Sequence, residues 1–267
     1  MQGLVRQSFM LAALAVVGAA GCQSMQSLRN VSIFSTAQEV ELGQQVSAQV
    51  EAQNKLITDP AVAGYVARIG ERVAAKAPRQ DVQYTFKVID NPKEVNAFAV
   101  PGGNVYVYSG LLTRMKSEAE LAAVLGHETA HIADSHSMAA LTRQAGFDLI
   151  LRVALGQNAP GWESTLGNLV GNVAFLQFSK EDEKQADRDG LNYMVQAGYD
   201  PQGMVGLLTM FTTLSETDPS AIQIFLSSHP APKERIGIVK DLILKENLAG
   251  GVDNPNEYQA AIKGLAK

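Results

Sequence analysis

The hydrophobic pattern of the chain changes period near residue 110. Residues 82–89 alternate, with Val82, Tyr84, Phe86 and Val88 on one side and Gln83, Thr85 and Lys87 on the other, which predicts a half-buried strand. Two short apolar runs, 97–100 and 105–108, flank Pro101-Gly102-Gly103-Asn104 and predict a hairpin. Three strands imply a small antiparallel sheet. Ahead of them, a capping box of Thr36 and Glu39 predicts a helix over 36–57. Asp59-Pro60 supplies an N-cap and a first-turn proline for a second helix, stopped by Pro78, whose buried face is Val62, Tyr65, Val66, Ile69 and Val73.

From residue 111 onward the signals are helical. Ser117 and Glu120 form a capping box for a half-buried helix reaching 136, with Leu121, Val124 and Leu125 as its apolar stripe. Residues 138–179 are apolar, but Arg143, Asp148, Arg152 and Glu163 divide them into runs too short to span a membrane. Two amphipathic helices around a 156–161 loop, packed as core, fit better than helices gripping a membrane surface. A strongly charged helix follows over 181–196 and is closed by Gly198, and Asp200-Pro201 starts the next. Ser228-His229-Pro230 lies in a proline-rich loop, and Pro232 opens a helix containing Arg235. No repeat or long linker divides residues 36–267, so the predicted class is one α+β domain, mainly helical, with a small antiparallel sheet.

Of the 267 residues, 46% are hydrophobic and only 6% aromatic, so the core is expected to rest on Ala, Val, Leu and Ile. A formal net charge of −5 argues against nucleic acid as a partner. Residues 1–21 read as a signal peptide, with Arg6 before an apolar run over 9–20. That run ends in Ala19-Ala20-Gly21-Cys22, which resembles a bacterial lipobox despite Ala19 in place of the usual Leu. Cys22 is the single cysteine, so an internal disulfide is impossible and lipidation of Cys22 accounts for its position. Residues 22–35 then form a lipidated tether. Gln23 after the cysteine points to the outer membrane, and the expected location is the periplasm.

The chemistry concentrates in His127-Glu128-Thr129-Ala130-His131, an H-E-x-x-H pattern. Residues four apart share a helix face, so His127 and His131 can present two imidazoles to one metal ion, with Glu128 placed to take a proton from water. A catalytic zinc needs a third protein ligand. Asp134 and Ser137 occupy the positions where a metzincin has glycine and histidine, which excludes that class, and His136 falls off the required spacing and reads as a surface histidine. The charged helix offers Glu181, Asp182, Glu183, Asp187 and Asp189. Glu183 and Asp187 share a face, so one could bind metal while the other accepts the outer N–H of a ligand histidine, but spacing does not choose between them and a solvated acidic face.

Four motifs in order, Asn96-Ala-Phe-Ala-Val-Pro-Gly-Gly103, H-E-T-A-H over 127–131, Glu183-Lys-Gln-Ala-Asp187 and Ser228-His-Pro230 followed by Arg235, resemble the gluzincin metallopeptidases of the CAAX prenyl protease and HtpX-like family. Within it the chain is most similar to the soluble periplasmic lipoprotein branch, in the form lacking a helical repeat domain. The resemblance covers about residues 37–239 and implies a zincin-like domain binding one Zn2+ through His127, His131 and Glu183. It implies an outer role for Asp187 and places His229 at the metal cleft, where it either gates the fourth position or, like Arg235, donates to the oxyanion. Asn96, Phe98, Ala99 and Gly102 become candidates for substrate binding along a strand edge, with simple sheet structure the competing reading. The implied activity is endopeptidase cleavage of misfolded or unassembled envelope proteins, with Glu128 as the base. The implied partners are such polypeptides, the membrane through lipid on Cys22, and the outer-membrane assembly machinery. The competing function is an envelope lipoprotein chaperone or assembly factor whose metal is mainly structural.

Overall fold

A computed structural model describes residues 35–146, 176–230 and 232–265. The expected signal peptide, Cys22 and nearly all of the tether lie outside the described residues. So does the helix pair around the 156–161 loop, apart from its first turns.

Helix α1, Thr36–Gln53, starts one residue earlier than its sequence signal. Ser35 is the N-cap, and Gln38 rather than Glu39 completes the capping box, with Ser35 N–H donating to Gln38 Oε1 at 3.0 Å. Glu39 is instead buried at 2% exposure and receives both terminal nitrogens of Arg79 at 3.0 and 2.9 Å. The helix also stops sooner than expected. Leu56–Ile57 leave it to form an edge strand, β1, pairing antiparallel with Ile89 and Val88. Helix α2, Pro60–Ala74, begins as its sequence dictates: Asp59 Oδ1 accepts from Ala61 N–H at 2.9 Å, and Val62, Tyr65, Val66, Ile69 and Val73 are all buried.

The sheet has four strands, not three, and is mixed rather than antiparallel. Strands β2 (Thr85–Ile89), β3 (Ala97–Val100) and β4 (Asn104–Tyr108) join β1 in the order β1-β2-β4-β3. Strands β2 and β4 run parallel, while β3 and β4 form the expected hairpin. Residues 90–96 cause the difference. They carry the chain from the end of β2 past the position of β4, so β3 takes the outer edge and β4 returns into the gap. The turn requires positive φ at Gly102 (81°) and Gly103 (119°), and a Cβ on Gly102 would come within 2.8 Å of Val40 Cα.

Every residue of β3 is buried because the sheet is covered on both faces. Phe86, Val88, Ala97, Ala99, Val105 and Val107 join the main core with α2 and the helices beyond it. Phe98, Val100, Tyr106 and Tyr108 join a second core with Leu42, Val46 and Val50 of α1.

After the short α3, Ser109–Leu112, comes α4, Glu118–Ala133, which carries the H-E-x-x-H residues. It is buried all round rather than on one side, with every residue from Glu118 to Ile132 enclosed. Ser117 accepts from Glu120 N–H at 3.4 Å, but Glu120 reaches back to Lys116 N–H at 2.6 Å, so the expected box closes one residue further out. Ser135, at φ 58°, breaks the helix before α5, His136–Ala145. Helix α6, Lys180–Gln196, opens on a capping box of Ser179 and Asp182 and ends at Gly198 with φ 89°. Then follow α7 (Gln202–Thr217), α8 (Gln223–Ser228), α9 (Pro232–Lys245) and α10 (Pro255–Ile262). No described helix is long and apolar enough to cross a membrane.

Helices α4 and α6 pack against each other at a pair of glycines. A Cβ on Gly126 would lie 2.8 Å from Gly190 O, and one on Gly190 would lie 2.7 Å from His127 N. Backbone meets backbone here, so neither side chain position can grow without separating the helices. Gly190→Ala should lower stability by about 1–3 kcal/mol, the usual cost of overpacking. Denaturant unfolding checks this, and a variant as stable as the parent would show that the contact does not set the helix spacing.

Candidate metal centre

Helix α4 presents His127 and His131 one turn apart, α6 presents Glu183 from the facing side, and His229 follows the last turn of α8. One ligand atom from each of these four residues lies within 4.8 Å of the others, and all four residues are buried. His131 Nε2 is 3.1 Å from His127 Nε2 and 3.3 Å from Glu183 Oε1. His229 Nδ1 is 3.3 Å from His127 Nε2 and 2.9 Å from Glu183 Oε1. Ligands at about 2.0–2.1 Å from a tetrahedral zinc stand roughly 3.3 Å apart. Four of the six separations in the cluster are thus close to the edge of a zinc tetrahedron, and its nitrogen and carboxylate donors suit that metal.

Each α4 histidine is held from behind. His127 Nδ1 is 3.1 Å from Asp187 Oδ1, and His131 Nδ1 is 3.2 Å from His136 Nδ1. The latter corrects the expectation of a surface histidine. His136 is 1% exposed because the helix break at Ser135 turns it back under the site. Arg235 also differs from its expected part. Its Nε and Nη2 donate to Asp187 at 2.7 and 2.5 Å, its Nη1 donates to Glu183 Oε2, and Nη2 is 3.5 Å from His127 Nδ1. The guanidinium is thus committed behind the carboxylates and is not directed at a reacting oxyanion.

The electrostatics follow from burial and these pairings. Burial alone would push the Glu183 carboxyl up, but Arg235 and His229 hold it well below the usual carboxylate range. Asp187 is likewise drawn down against its burial by Arg235. Burial pushes the His131 imidazole far down, leaving it neutral and able to ligate. His229 moves up, because the Glu183 charge outweighs its burial. Glu128 is fully buried, neither carboxylate oxygen has a hydrogen-bond partner among the described residues, and burial raises its pKa. Its Oε1 is 3.7 Å from His229 Nε2. Such an orphaned carboxyl beside a ligand cluster is what a base for bound water requires.

Two aromatic contacts had no sequence signal. The Phe178 ring stacks on His131 with centroids 3.8 Å apart, and Phe225 stacks on His229 at 4.7 Å. Of the substrate-binding candidates, Phe98 and Ala99 lie in β3, the edge strand against α4, and Asn96 immediately precedes it. Asn96 is fully buried, and neither of its side-chain polar atoms has a hydrogen-bond partner among the described residues. Phe98 faces the opposite way, stacked on Tyr106 at 5.2 Å, and Gly102 N–H donates to Glu39. These last two are committed to the fold.

Residues 60–243 match the model of peptidase family M48. The beta-barrel assembly-enhancing protease of Escherichia coli is 29% identical over 214 residues, 77% of this chain and 44% of that protein. Metalloprotease LoiP of E. coli is 31% identical over 235 residues, 83% of this chain and 90% of that protein. Mitochondrial metalloendopeptidase OMA1 of Schizosaccharomyces pombe is 34% identical over 180 residues, 66% of this chain and 52% of that protein. The chain spans less than half the length of the beta-barrel assembly-enhancing protease it matches.

Arg235→Leu should leave Glu183 and Asp187 as uncompensated buried charges and cost about 3–5 kcal/mol in chelator-treated protein at pH 7. A carboxyl whose folded pKa is depressed stabilises above its unfolded value and loses that contribution as pH falls below it. The deficit of the variant should therefore narrow below the ordinary carboxylate value of 4.5. Urea unfolding across pH checks both parts, and a pH-independent deficit would contradict the electrostatic account.

Proposed function

The chain belongs to peptidase family M48, and from that premise we propose that it is a zinc-dependent endopeptidase acting on misfolded or unassembled cell-envelope proteins. The observation that carries the reading is the buried His127, His131, Glu183 and His229 cluster with the unpartnered Glu128 carboxyl beside it. Zinc, held by His127, His131 and Glu183, would supply a Lewis acid for the scissile carbonyl and a lowered pKa for water. Glu128 takes the proton of the attacking water and passes it to the leaving amine. Asp187 holds His127 at Nδ1, which would leave the Nε2 lone pair free for the metal, and Arg235 keeps both carboxylates ionised. Pairing of an extended substrate with β3 near Asn96 and Ala99 would give backbone affinity with little sequence preference, and it would require that edge to be uncovered first, because both residues are buried.

The proposed setting is the periplasm, with the chain anchored in the outer membrane by lipid on Cys22. The similarity to a beta-barrel assembly-enhancing protease supports the outer-membrane assembly machinery as a partner. Glu128→Gln keeps the metal contacts and removes the base. It should lower cleavage of an unfolded envelope protein by about 100-fold or more while leaving zinc content unchanged. Retained cleavage would overturn the mechanism.

A second reading has a specific observation behind it, because His229 Nδ1 stands at the fourth corner of the ligand set. As a gate it yields that corner to substrate. As a fourth permanent ligand it makes the metal structural, in a chaperone or assembly factor. His229→Ala separates them: a gate predicts zinc retained and faster cleavage of unfolded protein, measured beside the parent. Loss of zinc without any gain in cleavage would favour the structural metal.

A further inference from the structure

His131 can ligate through Nε2 only if its proton sits on Nδ1, and that N–H needs an acceptor. For His127 the corresponding nitrogen faces the Asp187 carboxylate. For His131 it faces a second imidazole, since His136 Nδ1 lies 3.2 Å away. A neutral imidazole has one bare nitrogen, so accepting at Nδ1 places the His136 proton on Nε2. That nitrogen makes no hydrogen bond among the described residues, and the charge it faces is the Asp182 carboxylate, whose Oδ1 lies 3.8 Å away. Asp182 is itself anchored, because its Oδ2 accepts from Ser179 N–H at 2.9 Å and from Arg143 at 3.4 Å. The opposite assignment, His136 donating to His131, would put the His131 proton on Nε2 and turn an N–H toward the metal.

On the reading that His127, His131 and Glu183 hold the metal, we infer that His136 is a positioning residue that fixes His131 in its metal-binding tautomer by accepting the His131 Nδ1 proton at its own Nδ1, with the Asp182 carboxylate facing its other nitrogen. An imidazole here does for one ligand what a carboxylate does for the other. It adds no further carboxyl group to a buried site that already holds Glu128, Glu183 and Asp187.

The test is zinc affinity, by competition with a chromophoric chelator, for the parent, His136→Leu and His136→Asn. Folding of each is verified by circular dichroism. The leucine variant fills the space without an acceptor and should bind zinc about 10- to 100-fold more weakly, the usual effect of losing such a partner. Asparagine places its amide oxygen near the position of His136 Nδ1 and should restore affinity to within a few-fold of the parent. Equal affinity in the leucine variant would overturn the inference. So would an asparagine variant as weak as the leucine one, which would mark His136 as packing alone. A parent that binds no zinc would overturn the ligand assignment itself, and this inference with it, so the two failures are distinguishable.

Discussion

Two carboxylates on α6, Glu183 and Asp187, are almost completely removed from water, and the site is arranged around that fact. An unpaired buried carboxylate costs several kcal/mol, so each must meet charge or strong donors. Arg235 answers both, which ties α9 to α6. The histidines of α4 and His229 supply the remaining contacts, which tie α4 and the end of α8 to the same point. Three stretches distant in sequence, α4, α6 and the α8–α9 corner, are thereby drawn together. A divalent cation would complete the compensation, since its charge is what three nearby carboxyls and three imidazoles are arranged to meet.

Backbone proximity makes this possible. Gly126 against Gly190 lets α6 approach α4 closely enough for Glu183 to reach both histidines. The sheet supports the same helix from another side, with β3 lying against α4 at its outer edge. Covering both faces of the sheet explains why strands of such short length are stable, and why Phe98 and Ala99, neighbours in one motif, serve different cores.

Much of this was legible in the sequence where the signal was local. The face of α2 follows a 3.6-residue period, Asp59-Pro60 announces its start, and the hairpin glycines mark a turn only positive φ can make. The two α4 histidines follow from spacing alone. The choice of Glu183 over its acidic neighbours did not, because packing between helices decides which carboxylate faces inward, and only family resemblance supplied it. The mixed sheet was hidden because strand order depends on the path of residues 90–96, which carry no periodic signal. Ser35 displaced Thr36 as the cap because Glu39 was needed by Arg79, a partner forty positions away. His136 was misread because a five-residue spacing does not share a helix face. It comes under His131 only because Ser135 adopts a left-handed conformation between them.

The central claim is that α4 and α6 converge on one divalent cation through Glu183. Metal analysis of the purified protein beside its Glu183→Ala variant tests it most directly. The account predicts one zinc per chain in the parent and loss of that zinc in the variant. A variant that retains the full complement at unchanged affinity, or a parent that holds none when supplied with zinc, would contradict it.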